Sequence, residues 1–194
     1  MSEKLNKRKQ QAVETKKKLT MAIMELMDIK SYHEISIESI CESAGVSKGT
    51  FYHYFDSKRA ILSQLNKMAN DEIIATLRFD ETKSARQMFE EYLDVIVEQS
   101  YKETYANHSR VMIALLTTGE NEAYMQNKPQ TEYVEQLLRY GQERGELSKE
   151  IEIEALNSLI TAAIQGFVTV WSISRGTMDL RGQLKKAFST IWDL

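Results

Sequence analysis

The sequence predicts an all-α protein, and three observations support that fold class. The 194 residues include one proline and eight glycines, so few positions interrupt a helix. Apolar residues recur at the three- and four-residue spacing of amphipathic helices, and the alternating pattern of strands is nearly absent. Hydrophobic residues make up 42% and charged residues 27% of the chain, which is typical of a globular protein with a sizeable core.

The N-terminal part is predicted to contain an arm and four helices. Residues 1–14 are polar and lysine-rich, which predicts a flexible arm. Ser36 and Ser47 are suitable N-caps for two short helices, and Gly45 supplies the left-handed turn that ends the first of them. The four predicted helices, in chain order, cover about residues 15–30, 36–44, 47–54 and 57–78.

Five more helices are predicted in the remainder, which brings the total to about nine. The single proline, Pro129, suits the first turn of one of them, and Gly145 and Gly176 each end a helix. The predicted ranges are about 84–101, 107–118, 129–145, 152–175 and 179–192. We expect two domains, a head at residues 1–60 and a helical body at residues 61–194.

The charge distribution separates these two parts. The net charge is −3, but residues 1–60 hold 11 Lys and Arg against 8 Asp and Glu, whereas residues 61–194 hold 14 against 20. A basic head on an acidic body is expected when only the head meets phosphate. The uncharged run at 155–174 contains Asn157, Thr161 and Gln165, so it predicts a buried helix and no membrane partner.

Location is predicted from the N-terminus and the cysteine content. The first residues, MSEKLNKRKQQ, have no apolar core and do not resemble a secretory signal. The single cysteine, Cys41, cannot form an internal disulfide. Both features favour the cytoplasm.

Residues 36–59, SIESICESAGVSKGTFYHYFDSKR, form the most informative segment. Two short helices joined by a glycine turn predict a helix-turn-helix, and the second helix carries small, hydroxyl, basic and aromatic side chains with almost no acid. Gly49 would let the backbone approach a DNA groove closely, while Lys48 and Thr50 could reach base edges or phosphates. The predicted DNA contacts are Ser36, Ser47, Lys48, Gly49, Thr50, Tyr52, His53, Tyr54 and Lys58.

The segment from about residue 15 to 62 resembles the N-terminal DNA-binding region of the TetR family of bacterial transcriptional regulators. The resemblance rests on I-x-x-I-C-E-S-A-G-V-S-K-G-T-F-Y-H-Y-F-D-S-K-R-A-I-L, where many constrained positions match at fixed spacing. The chain departs from the family at Ser31 (often Gly), Ile35 (often Thr) and Cys41 (usually Ala). The resemblance implies an all-helical homodimer on a near-palindromic operator, with DNA contacts at Lys48, Gly49, Thr50, Tyr52, His53 and Lys58.

The body is rich in aromatic and methionine residues, and two interpretations explain this composition. One is a pocket for a small apolar or aromatic effector that tyrosine hydroxyls would orient, and the other is an ordinary helical core. The family resemblance implies a pocket somewhere among these helices. The candidate effector residues are Phe89, Tyr92, Tyr105, Met112, Tyr133, Phe167 and Trp171.

The last two helices combine small and large apolar side chains. They could form a four-helix interface between two chains, or they could close the core of one chain. We favour the dimer, because one recognition helix buries too little surface for tight specific binding. The predicted interface residues are Ala163, Phe167, Val170, Leu184, Phe188 and Ile191.

These features predict a ligand-responsive transcriptional repressor that binds its operator as a dimer and that a small effector releases. The alternative is a helix-turn-helix DNA-binding protein that a protein partner controls without a small-molecule effector. The sequence contains no glycine-rich phosphate loop, nucleophile elbow or HExxH motif, and its three histidines lie far apart. We therefore expect no enzyme activity, cofactor or metal.

Overall fold

The computed structural model describes residues 2–118 and 128–193, which form helices joined by turns, with no strand among these described residues. The all-α prediction is confirmed. Two short 3-10 helices cover Tyr32–Glu34 and Ser189–Asp193. The α-helices are α1 (Ser2–Met27), α2 (Ile37–Ala44), α3 (Lys48–Tyr54), α4 (Lys58–Thr76), α5 (Ala85–Thr118), α6 (Lys128–Glu143), α7 (Ile153–Ile173) and α8 (Leu180–Phe188).

The structure corrects the predicted start of the first helix. Helix α1 begins at Ser2 instead of near Thr15. The segment before Thr15 contains no glycine or proline and is rich in Lys, Gln and Glu, which are good helix formers. Its polarity predicted an arm, whereas its helix propensity agrees with the helical backbone of the structure.

A second correction concerns the body, where the two helices predicted at about 84–101 and 107–118 form one continuous helix, α5. The linking residues 102–106, KETYA, contain neither proline nor glycine, so nothing in them ends a helix. Residues 102–106, which separated the two predicted helices, have a helical backbone.

By packing, the chain divides into two compact units. The first unit contains Met1–Lys67 with Arg110–Met125, and the second contains Met68–Ser109 with Gln126–Leu194. Helices α4 and α5 each contribute residues to both units.

The first unit has a small apolar core built from α1 to α4 and the end of α5. Ala114 and Leu115 of α5 are buried in this core, and Arg110 forms an ion pair with Asp28 at the end of α1. The largest fully buried side chains of this unit are Leu19, Ile23, Ile35, Ile40, Phe51, Ile61 and Leu62.

The second unit has a larger core, in which α6 packs against α7 and α7 against α8. By length and composition alone, α7 could cross a membrane. However, Ile160, Ile164 and Trp171 on one side of α7 are buried in this core, as in the core helix of a globular unit. The largest fully buried side chains of this unit are Met88, Phe89, Leu93, Leu137 and Leu138.

Candidate functional site

The predicted helix-turn-helix is present as α2, a tight turn and α3. The Ser36 hydroxyl caps α2 by accepting a hydrogen bond from the Ser39 amide at 3.1 Å, and the Ser47 hydroxyl caps α3 in the same way, 3.1 Å from the Thr50 amide. Gly45 ends α2 with φ 65° and ψ 37°, the left-handed conformation that glycine adopts without strain. These three local devices fix the crossing of the two helices.

Helix α3 presents four of the predicted DNA contacts to solvent. Lys48, Gly49, Tyr52 and His53 are exposed, and Tyr52 retains 55% of its accessible surface. Phe51, which lies between them in sequence, is fully buried and anchors the helix to the first core. An exposed tyrosine beside a glycine and a lysine is a surface that can meet a sugar–phosphate backbone.

Two other predicted DNA contacts on α3 interact with neighbouring side chains of the protein. The Thr50 hydroxyl lies 2.9 Å from the Ser47 hydroxyl, so the two share a hydrogen bond at the start of the helix. Tyr54 is half-buried against the first core, and its ring lies 4.7 Å from that of His53. Thr50 and Tyr54 therefore support the exposed face of α3.

Lys48 does not stand alone on this face. Its ammonium donates a hydrogen bond to the Glu38 carboxylate in the first turn of α2, although both side chains are largely exposed. This bond lowers the pKa of Glu38 and raises the pKa of Lys48. Glu38 was not predicted from the sequence, although residues 36–54 hold one Lys or Arg, Lys48, and two acids that precede it, Glu38 and Glu42, which was an available signal.

Lys58, at the start of α4, is engaged inside the first unit. Its ammonium donates hydrogen bonds to the carbonyls of Tyr32 and Ile35, each at 2.7 Å, and lies 4.2 Å from the centre of the Tyr32 ring. Burial lowers the pKa of Lys58. In this geometry Lys58 joins α4 to the segment before α2, and its contact with DNA stays a prediction.

The predicted effector residues are only partly brought together. Phe89, Tyr92 and Tyr133 belong to the second core, where the ring of Tyr92 lies 6.1 Å from each of the other two. Phe167 and Trp171 are farther along the same core, on α7. Met112 belongs to the first unit, and the Tyr105 side chain lies outside the described residues.

A chain of buried polar side chains crosses the second core. The Tyr92 hydroxyl donates to the Gln130 side-chain carbonyl at 3.0 Å, and the Gln130 amide donates to the Asn70 carbonyl oxygen at 2.7 Å. All three residues are buried, and burial raises the pKa of Tyr92. This series of hydrogen bonds links α4, α5 and α6. Gln130 and Asn70 were not predicted, although Gln130 falls four residues before Val134 on the buried face of α6.

The second unit also carries an open groove of about 530 Å³ on its surface. The Phe79 and Tyr140 rings meet in its wall at 5.2 Å, and Arg139 forms an ion pair with Glu135. None of the predicted effector residues lines it. Its lining residues are Phe79, Glu81, Glu132, Glu135, Gln136, Arg139, Tyr140 and Glu143.

The predicted dimer residues fall into two groups. Leu184, Phe188 and Ile191 are buried in the second core of the single chain. On α7, Ala163 and Phe167 are half-buried and Val170 is exposed. The exposed apolar surface of the last helices thus lies on α7.

Comparison with known proteins gives three findings. Residues 19–65 match the family of bacterial regulatory proteins described as the tetR family. The HTH-type transcriptional regulator UidR of Escherichia coli (strain K12) is 27% identical over 155 residues, which are 77% of this chain and 78% of that protein. Among solved structures, the fatty acid degradation regulator FadR from Bacillus halodurans aligns with a TM-score of 0.69 at 21% identity, over 92% of this chain and 94% of that one.

A further solved structure, FadR from Bacillus subtilis in complex with stearoyl-CoA, aligns with a TM-score of 0.68 at 21% identity, over 90% of this chain and 96% of that one. At such identities the structural likeness establishes the fold, while the match at residues 19–65 places the family signature on the helix-turn-helix. The predicted family is confirmed. Residues 19–65 therefore form a DNA-binding region of the tetR family of bacterial regulatory proteins, and the protein is a DNA-binding transcriptional regulator.

Proposed function

We propose that the protein represses transcription as a homodimer whose two α3 helices enter successive major grooves of an operator. The observation that carries the proposal is the exposed face of α3, where Lys48, Gly49, Tyr52 and His53 project from a helix anchored by Phe51. In a helix-turn-helix dimer, two half-sites lie about one helical turn, roughly 34 Å, apart. The operator is therefore expected to be nearly palindromic. The single, buried cysteine is consistent with action in the cytoplasm.

Operator binding is tested with a sequence selected by the wild-type protein from a random duplex pool. The Lys48→Met, Tyr52→Ala double variant should lose at least about tenfold in affinity, because each contact to phosphate or base edge contributes about 1–3 kcal/mol. A matched control, Lys102→Met with Tyr101→Ala, removes an exposed lysine and an exposed tyrosine from the second unit. Equal affinities of wild type and the Lys48–Tyr52 variant would place the DNA contact elsewhere.

The dimer interface is proposed on the outer side of α7. Leu159, Val170 and Ile173 are 65%, 52% and 75% exposed and recur at helical spacing with the smaller Ala163 and Gly166. A second copy that covers this stripe would bury apolar area on both chains. Val170→Asp should shift sedimentation from dimer to monomer, whereas Ile29→Asp, at an exposed position of the first unit, should not. A dimer unchanged by Val170→Asp would exclude this stripe.

The second unit is the proposed effector site. Its core combines aromatic side chains with the buried polar chain of Tyr92, Gln130 and Asn70, so it offers both apolar surface and groups that orient a ligand. The stearoyl-CoA complex of the Bacillus subtilis neighbour supports an acylated ligand as the first probe. An effector that binds the state unable to match the operator spacing would release DNA.

The effector proposal is tested by thermal unfolding and by operator release. Stearoyl-CoA at one hundred times its dissociation constant should raise the melting temperature by about 5–10 °C, and free coenzyme A is the control. The same ligand should weaken operator binding in a mobility-shift titration. A set of acyl-CoA and smaller aromatic ligands that neither stabilises the protein nor releases DNA would favour control by a protein partner.

A further inference from the structure

The ion pair between Lys48 and Glu38 lies within the predicted DNA-binding surface. Lys48 is the first residue of α3, and Glu38 lies in the first turn of α2. Their side chains are 55% and 60% exposed, so the pair is at the surface that would meet DNA. The Lys48 ammonium is already paired with the Glu38 carboxylate, so a phosphate would have to compete for it.

Cations are scarce in the helix-turn-helix, so the pairing of Lys48 with Glu38 matters for phosphate binding. Residues 36–54 contain one Lys or Arg, Lys48, and two acids, Glu38 and Glu42. Binding to DNA of any sequence depends on phosphate neutralisation by Lys and Arg, with release of condensed counterions. While Glu38 is paired with Lys48, residues 36–54 offer phosphate no other Lys or Arg side chain, and their carboxylates repel the DNA backbone.

We propose that Glu38 is a specificity-determining residue that withholds Lys48 from phosphates of random DNA and yields it only in the operator complex. The inference rests on the proposed DNA contact through α3. An exposed ion pair shifts an equilibrium by no more than about fivefold, so close contacts in a well-matched major groove can break it. Loosely bound random DNA makes fewer contacts, so it cannot break the ion pair. Glu38 thereby widens the ratio between operator and random-sequence affinities, a use of repulsion against the wrong partner.

Two other roles of Glu38 give different outcomes. As an acid in the first turn of α2, it could act only through the helix dipole, in which case its removal changes stability and leaves DNA binding unaltered. As a base reader, its carboxylate would accept a hydrogen bond from cytosine N4, and its removal would weaken operator binding alone. Either result would overturn the proposal.

The test compares Glu38→Gln with Glu42→Gln, which removes the same charge from the same helix. Affinity for a random-sequence 30-base-pair duplex is measured by fluorescence anisotropy at several salt concentrations. Glu38→Gln should bind random DNA about three- to fivefold more tightly per copy, and the slope of log K against log salt should steepen by about 0.9 per copy as Lys48 becomes a phosphate contact. Operator affinity should rise less, so the specificity ratio falls.

A double-variant cycle attributes the effect to the pair. In a Lys48→Met background, Glu38→Gln should change random-DNA affinity no more than Glu42→Gln does. An unchanged affinity and salt slope in Glu38→Gln, or equal gains in the two glutamate variants, would overturn the inference. Circular dichroism verifies that each variant is folded. Failure of the wild type to bind any duplex would instead overturn the proposed function, and this inference with it.

Discussion

The two units place their polar side chains differently. In the first unit, residues predicted to act on DNA, such as Lys48 and Tyr52, are exposed on a short helix. Among the described residues, the buried polar side chain of this unit is Thr20, whose hydroxyl donates to the Lys16 carbonyl four residues earlier. The buried polar side chains of the second unit are Asn70, Ser100, Gln130, Asn157 and Ser172.

This difference agrees with the proposed DNA surface in the first unit and the proposed effector site in the second. A buried polar group costs free energy unless it is hydrogen-bonded, so a core that contains Asn70, Tyr92 and Gln130 depends on one arrangement of its helices. The first unit avoids such a dependence and sets its helices by caps and one glycine turn. A DNA surface needs a rigid exterior, whereas an effector site needs an interior that a ligand can rearrange.

The largest expected effect comes from Lys58, which is the main exception to this comparison because it is a charged group engaged inside the first unit. Lys58→Met removes two hydrogen bonds from an ammonium and leaves the Tyr32 and Ile35 carbonyls without this donor. We expect a loss of about 2–3 kcal/mol in the free energy of unfolding, measured by urea titration.

The salt dependence of DNA binding distinguishes this role from a phosphate contact. If Lys58 holds the fold, the folded Lys58→Met variant should keep the wild-type slope of log K against log salt. A slope smaller by about 0.9 per copy, with little loss of stability, would assign Lys58 to a phosphate. Arg59→Met, at the exposed neighbouring position, is the control for loss of a positive charge.

A smaller effect is expected in the second core. Tyr92→Phe keeps the ring but removes the donor to Gln130, which leaves a buried acceptor without this bond, so stability should fall by about 1–2 kcal/mol in thermal or urea unfolding. Tyr133→Phe is the matched control, since its hydroxyl makes a longer, exposed hydrogen bond of 3.3 Å to the Arg78 carbonyl. Equal losses in the two variants would show that the buried hydrogen bond of Tyr92 contributes no more to stability than the exposed one of Tyr133.

The first unit was predicted from sequence in greater detail than the second, for a physical reason. Ser36, Gly45 and Ser47 act on their own neighbours along the chain, so the turn and caps follow from local chemistry. The exposed position of Tyr52 and the buried position of Phe51 follow from helical spacing once those caps are placed.

Hydrogen-bond partners that lie far apart in sequence could not be predicted from local sequence patterns. Gln130 meets Asn70 across 60 residues, and Lys58 meets the Tyr32 carbonyl across 26. Helix periodicity identifies a buried position but not the residue that it faces. Continuity of α5 was not predicted, although residues 102–106 contain no glycine or proline to end a helix.

The smallest expected change, Gly49→Ala, separates stability from DNA binding most cleanly. A methyl group at Gly49 would meet the Ser47 hydroxyl oxygen at 3.7 Å, an ordinary contact, so the free protein accepts it. Alanine favours a helix over glycine by up to about 1 kcal/mol, so the melting temperature should rise slightly. Operator affinity should fall nevertheless, because the added methyl separates the α3 backbone from the groove that glycine lets it approach. Opposite signs in calorimetry and anisotropy titration would show that Gly49 serves the DNA contact, and a rise in both would remove it from the interface.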